Sequence, residues 1–181
     1  MEKKEDYEMM FKIILIGQSS VGKTNILSKF LKNDFDENYI PTIGVEFGSK
    51  LFNIEGHRIK AQIWDPSGEE QSKALINAYS KGTKGALVVY DITKKQTLDN
   101  VGDLLNNLKK AAHKNLSIIL IGNKNDLEDK REIMKEEGEE KAKKYKVAFL
   151  DTSALTGENI DKAFENLMTE IYKKEMNENQ K

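Results

Sequence analysis

Short apolar runs alternate with longer stretches in which apolar residues recur every three or four positions, and this alternation predicts the fold. FKIILIG (11–17) ends at a glycine, and the stretch from Lys23 to Lys32 then puts Ile26, Leu27, Phe30 and Leu31 on one side, the spacing of an amphipathic helix. VEFGSKLFNI (45–54) and HRIKAQIW (57–64) flank Glu55-Gly56 and predict an antiparallel hairpin. Beyond the hairpin the order is regular. Strands GALVVYDI (85–92), SIILIGN (117–123) and VAFLDTS (147–153) are each followed by a helical pattern, over about 97–112, 131–145 and 158–173. Apolar strands separated by amphipathic helices predict an α/β fold of three layers: a six-stranded, mostly parallel sheet with one antiparallel strand, and helices on both faces. The ends are polar, so residues 1–8 and 175–181 are expected to be mobile tails around one domain over 9–174.

Composition narrows the picture. The 181 residues suit one domain, and Lys+Arg 29 against Asp+Glu 30 gives a formal charge of -1, so no strong field draws the chain to nucleic acid or anionic lipid. The chain has no cysteine, hence no disulfide, no thiolate chemistry and no cysteine-based zinc site, and a reducing compartment such as the cytosol is allowed. The acidic, mixed start MEKKEDYEMMF does not read as a signal peptide, and no apolar run approaches the roughly 20 residues of a membrane span. A soluble protein is expected.

In a doubly wound sheet, ligands sit beyond the carboxyl ends of the strands. GQSSVGKT, DPSG, NKND and DTSAL each follow a predicted strand at once. Gly17-Gln-Ser-Ser-Val-Gly22-Lys23-Thr24 fits G-x-x-x-x-G-K-[ST] between a strand and a helix. Glycines let successive N–H groups turn inward, and the helix N-terminus adds positive potential for phosphate oxygens. Lys23 brings a full charge to the β and γ phosphates, and the Thr24 hydroxyl suits Mg²⁺. In NKND (123–126), the Asp126 carboxylate is able to accept two hydrogen bonds from the N1–H and exocyclic amine of guanine, which adenine does not offer. Alone, NKND also reads as a polar turn; with the phosphate loop upstream and DTSAL (151–155) downstream, a base pocket is the better reading.

GQSSVGKT, PTIGVEF, WDPSG, NKND and TSAL, in this order and spacing, resemble a small GTPase of the Ras superfamily, and the resemblance spans about residues 10–173. IGVEF (43–47), KAQIW (60–64), YSKGT (79–83) and LVVYDIT (87–93) resemble the segments that mark the Rab family, most of all its recycling-endosome branch. The resemblance implies the P-loop GTPase fold and roles at matching positions. Ser19, Ser20, Val21, Gly22, Lys23, Thr24 and Asn25 would line the phosphates, and Phe35 and Tyr39 would flank the nucleoside. Asn123, Lys124, Asp126 and Leu127, with Ser153, Ala154 and Leu155, would form the guanine pocket. Thr24 and Thr42 would ligate Mg²⁺, with Asp65 holding one of its waters, and the Gly68 N–H would meet the γ-phosphate. Ile43, Gly44, Phe47, Trp64 and Tyr79 would face effectors. On periodicity alone, Phe47, Trp64 and Tyr79 read as core. The resemblance further implies an exchange factor, an activating protein, a monomer, and vesicle traffic on the cytosolic face of membranes. It also implies a prenylated cysteine tail, which this chain, stopping at Lys181, does not carry; the expectation is that the tail is cut short.

WDPSGEE (64–70) departs from the WDTAGQE of most relatives. Pro66 fixes φ and removes a donor from a turn that must move, Ser67 replaces a small apolar residue, and Glu69 stands where relatives carry the glutamine that orients the attacking water. An ionised glutamate accepts but does not donate, and it sets a negative charge near a phosphoryl group, although a carboxylate also serves as a general base. Lys23, Gly68 and Glu69 are therefore the catalytic candidates, with slow hydrolysis expected. QSKAL (71–75) replaces the arginine and aromatic residue usual in Rab proteins and reads either as altered partner choice or as a solvated helix start. The alternatives are a hydrolysis-impaired, GTP-holding scaffold and, disfavoured by Asp126, an adenine-nucleotide kinase. His57 and His113 are expected at the surface.

Overall fold

The structure is a computed structural model that describes residues 6–38, 42–66, 73–112 and 114–179. Tyr39, Ser67, Gly68, Glu69 and His113, singled out above, lie outside the described residues, as do the first two positions of QSKAL. The strands are β1 (Met9–Ile16), β2 (Val45–Ile54), β3 (His57–Pro66), β4 (Thr83–Asp91), β5 (Ser117–Asn123) and β6 (Ala148–Thr152). The helices are α1 (Lys23–Lys32), α2 (Lys73–Ser80), α3 (Lys95–Asp99), α4 (Val101–Ala111), α5 (Lys135–Tyr145) and α6 (Ile160–Asn179), with a 3₁₀ turn over Asn125–Lys130. The six strands form one sheet in the order β2-β3-β1-β4-β5-β6. β2 runs antiparallel to β3 and every other pairing is parallel, as the alternating pattern predicts.

The strand alternation divides the core in two. Ile13, Leu15, Leu87, Val89, Ile119 and Ile121 point to one face, where Phe30 of α1 and Phe164 and Leu167 of α6 cover them. Ile14, Ile16, Val88, Tyr90, Ile118 and Leu120 point to the other, beneath Ile76, Leu98, Leu105 and Ala142. Because β1, β4 and β5 are covered on both faces, every residue is useful when apolar, which is why they read as unbroken apolar runs. The Phe30 and Phe164 rings lie 3.9 Å apart and close the α1–α6 seam.

Several boundaries differ from expectation, each for a local reason. The helix expected over 97–112 is two, meeting at Asn100, and it starts at Lys95. The Thr97 hydroxyl donates to backbone carbonyls and accepts from Asp91 N at 3.0 Å, tying the first turn to the end of β4. The helix expected from 131 begins at Lys135, because Glu132 N and Ile133 N both go to Ile92 O and hold that segment extended beside the strand end. Glu137 then accepts from Met134 N at 3.0 Å and caps α5. The tail expected over 175–181 is helical through Asn179: Met176 packs on the core, Glu175 pairs with Lys84 at 2.5 Å, and Glu178 bonds Asn115. Glu8, expected in the front tail, is also anchored, accepting from Arg58 N at 3.1 Å and lying 2.7 Å from His57 Nδ1. His57 itself is half-buried beside Tyr172.

Candidate functional site

At the carboxyl ends of β1, β3, β5 and β6 lies a cavity of about 710 Å³, lined by the two loops that the sequence singles out most strongly. The chain leaves β1 and curls between Gly17 and Thr24 before entering α1. A Cβ on Gly17 would sit 2.3 Å from Val89 O, and Gly22 has φ 99, with an added Cβ 2.4 Å from Asn123 Nδ2. Both positions exclude a side chain, one by contact with backbone and the other by torsion and contact together. Ser20 also takes a positive φ, of 65. The buried Lys23 donates from Nζ to Gly17 O at 2.9 Å and to Gln18 O at 3.0 Å, so two of its three donors hold the curl from within. Burial lowers the lysine's pKa, opposed by the charge of Asp65. Ser19, Ser20, Gly22, Lys23, Thr24 and Asn25 line the cavity as expected. Val21, expected to act mostly through its backbone, turns its side chain into the core, and its carbonyl accepts from Asn123.

Three oxygens converge beside this loop. Thr24 Oγ1 donates to Asp65 Oδ2 at 2.6 Å and lies 2.7 Å from Thr42 Oγ1. A hydroxyl has one proton, so Thr42 must be the donor in the second bond. Asp65 is 1% exposed and its other oxygen, Oδ1, has no hydrogen-bond partner among the described residues. Burial pushes its carboxyl up to about 6, overcoming the Thr24 hydrogen bond and the Lys23 charge, while Glu46 adds to the rise. A buried carboxylate with an idle oxygen, next to two hydroxyls at a cavity wall, is a hard-oxygen donor set, and it fits Mg²⁺. Among the described residues no three His, Cys, Asp or Glu cluster as a metal site, so hydroxyls have to complete this one.

The far end of the cavity is built by the loops after β5 and β6. Asn123 Nδ2 donates to Val21 O at 2.9 Å, and its Oδ1 accepts from Thr152 Oγ1 at 3.1 Å and Ala154 N at 3.3 Å. Lys124, in the left-handed region at φ 72, donates to Ser20 O at 2.8 Å. Asp126 accepts from Ser153 Oγ at 2.6 Å, and that hydroxyl accepts in turn from Thr156 N. The serine stands behind the cavity and orients the carboxylate; Asp126 itself lines the wall, with Leu127, Ala154 and Leu155. Phe35 closes the rim. Asn25 holds that rim in place, donating to Asp36 O at 3.2 Å and accepting from Asp36 N at 3.3 Å. Asp36, Glu37, Asn38 and Glu46 also line the cavity. They went unread because nothing in their spacing sets them apart from an acidic surface loop. The cavity thus offers the Lys23 ammonium and a set of hydroxyl oxygens on the side of the 17–24 loop and a fixed carboxylate between apolar walls on the other.

The aromatic residues are divided between surface and core. Ile43 is 95% and Phe47 51% exposed, whereas Trp64 and Tyr79 pack partly against the core. Phe47 meets Trp64 edge-on at 5.1 Å, Tyr79 lies 6.5 Å beyond, and the Lys12 ammonium sits 5.1 Å over the indole. Gly44, at φ 77, turns the chain between Ile43 and β2. Neither the surface nor the core reading covers all three rings.

A model of the Ras family matches residues 12–173. The chain belongs to the Ras family. Within it, the relatives of this small GTPase carry Rab names. The Ras-related protein Rab2BV of Beta vulgaris is 49% identical over 167 residues, 92% of this chain and 78% of that protein. Rab11C of Lotus japonicus is 48% identical over 167 residues, 92% of this chain and 77% of that one. Rab-11A of Dictyostelium discoideum is 44% identical over 169 residues, 93% and 79% respectively. This Rab-type GTPase has no helix, among the described residues, long and apolar enough to cross a membrane.

Proposed function

We propose that this Rab-type GTPase is a guanine-nucleotide switch in vesicle traffic that binds GTP with Mg²⁺, hydrolyses it slowly to GDP and phosphate, and engages effectors while GTP is bound. One observation carries the reading: Lys23, Thr24 and Thr42, with Asp65 bonded behind Thr24, share one cavity of about 710 Å³ with Asp126. The amides of 19–24 and Lys23 take the phosphates. Thr24 and Thr42, with Asp65 acting through a water, would hold Mg²⁺, which would supply positive charge against the phosphates. Asp126 reads the N1–H and exocyclic amine of guanine, with Lys124, Ala154 and Leu155 walling the base. Adenine offers neither donor, so a carboxylate covered by the base would lose both bonds, the penalty that rejects adenine. The Rab names of its relatives support the traffic role, with an exchange factor, an activating protein and effectors as partners.

Hydrolysis adds water to the γ-phosphorus, and the β–γ bridging oxygen leaves with GDP. Glu69 stands at the water-orienting position of the motif, and its charge opposes the growing negative charge on the transferring oxygens. Pro66, buried at the end of β3 and paired across the ladder with Val45, stiffens the hinge from which that turn departs. These two residues favour a second reading, a protein that holds GTP for long periods as a scaffold. Competition of GTP against ATP for the purified, Mg²⁺-loaded protein tests the site, and equal affinities would refute it. Single-turnover phosphate release by the native chain and Glu69→Gln separates slow switch from scaffold. We expect Glu69→Gln to be at least tenfold faster; an unchanged rate removes Glu69 from the explanation.

A further inference from the structure

Lys124 is held from two sides. Its Nζ donates to Ser20 O at 2.8 Å and lies 2.6 Å from Asp91 Oδ2, whose side chain is wholly buried at the carboxyl end of β4. The approach to Oδ2 is too oblique for a well-directed hydrogen bond, so this pair is bound by charge more than by direction. The other oxygen, Oδ1, accepts from Thr93 N at 2.9 Å and Thr93 Oγ1 at 2.7 Å. The backbone fixes the carboxylate as well, since Asp91 pairs with Asn123 in the β4–β5 ladder and Asp91 N is held by Thr97 Oγ1. Asp91 is absent from the cavity lining, and no nucleotide atom needs to reach it.

We infer that Asp91 is a positioning residue for nucleotide retention: it anchors the Lys124 ammonium, which in turn pins the Ser20 carbonyl and so braces the phosphate loop from the base side. This rests on the guanine-nucleotide reading of the cavity. A lysine side chain has four rotatable carbons and loses much of that freedom only where something holds its end. A buried carboxylate is a strong anchor because the ion pair is poorly screened there, and leaving it unpaired is costly. Without Asp91 the ammonium swings to solvent, Ser20 O loses its donor, and nucleotide escapes faster.

The test is the dissociation rate of a fluorescent GDP analogue from native protein, Asp91→Asn, Lys124→Met and the double variant, with thermal melting run on each. We expect Asp91→Asn to release GDP about tenfold faster, the loss of one charge-assisted contact. If Asp91 acts through Lys124, the double variant releases GDP no faster than Lys124→Met alone. Additive rates, or an unchanged rate with a lowered melting temperature, overturn the inference and leave Asp91 a purely structural residue. Should Asp91→Asn fold poorly, Thr93→Val keeps the charge while removing one of the two donors to Oδ1; a two- to threefold acceleration that disappears in the Lys124→Met background supports the inference, and equal acceleration in both backgrounds overturns it. Failure of native protein to bind GDP at all would strike the guanine reading and is told apart by that control.

Discussion

Asp65 offers the sharpest test of the cation site. Its carboxyl is raised from 3.8 to about 6, chiefly because burial disfavours the charge. A raised folded-state value means the folded chain favours the neutral form. The favourable contribution is therefore complete below about pH 4 and is lost as pH climbs through 6. At about 1.4 kcal/mol per pH unit, the ionised carboxylate costs the metal-free fold about 3 kcal/mol at pH 8. Asp65→Asn keeps the shape and an acceptor for Thr24 but carries no charge. In EDTA at pH 8, with GDP present, it should melt above the native protein by about 6 to 12 °C for a chain of this size. The difference should shrink below pH 6 and nearly vanish near pH 4. Added Mg²⁺ should reverse the order, since only the native chain has an anion for the ion to pair with. Melting curves from pH 4 to 8, with and without Mg²⁺, read all of this. Parallel curves for the two proteins would refute the buried-charge argument, and an equal response to Mg²⁺ would remove Asp65 from the cation site.

Other expectations follow from single contacts. Gly22→Ala forces a Cβ to within 2.4 Å of Asn123 Nδ2 at φ 99, so it should lower stability by about 1–3 kcal/mol in urea unfolding and accelerate GDP release. Phe164→Ala opens a cavity beneath Phe30 and should cost about 3–5 kcal/mol by the same assay, with the GTP-over-ATP preference retained. Trp64, the one tryptophan, touches the exposed Phe47 ring, so its emission should change when GTP replaces GDP; an emission indifferent to nucleotide would show that this surface does not report on the site.

Much of this was legible before any coordinates. The strands buried on both faces announce themselves as apolar runs, and the phosphate loop by glycines whose spacing geometry dictates. Asp126 stands out because a guanine pocket would ask for a carboxylate there. Asp91 does not, for only the β4–β5 register brings its side chain to Lys124. The acidic rim of Asp36 and Glu37 looks in sequence like any solvated loop. The length of α6 was missed because its last two turns are polar; the Lys84 and Asn115 partners that hold them lie far away along the chain.

Asn123 has a single amide, and both its atoms are engaged, its nitrogen on Val21 and its oxygen on Thr152 and Ala154. The phosphate end and the purine end of the pocket are consequently one jaw and not two clasps. A protein that pries residues 17–24 away from the phosphates pulls on the base through the same side chain. A displacement of either loop is therefore passed to the other through this one side chain.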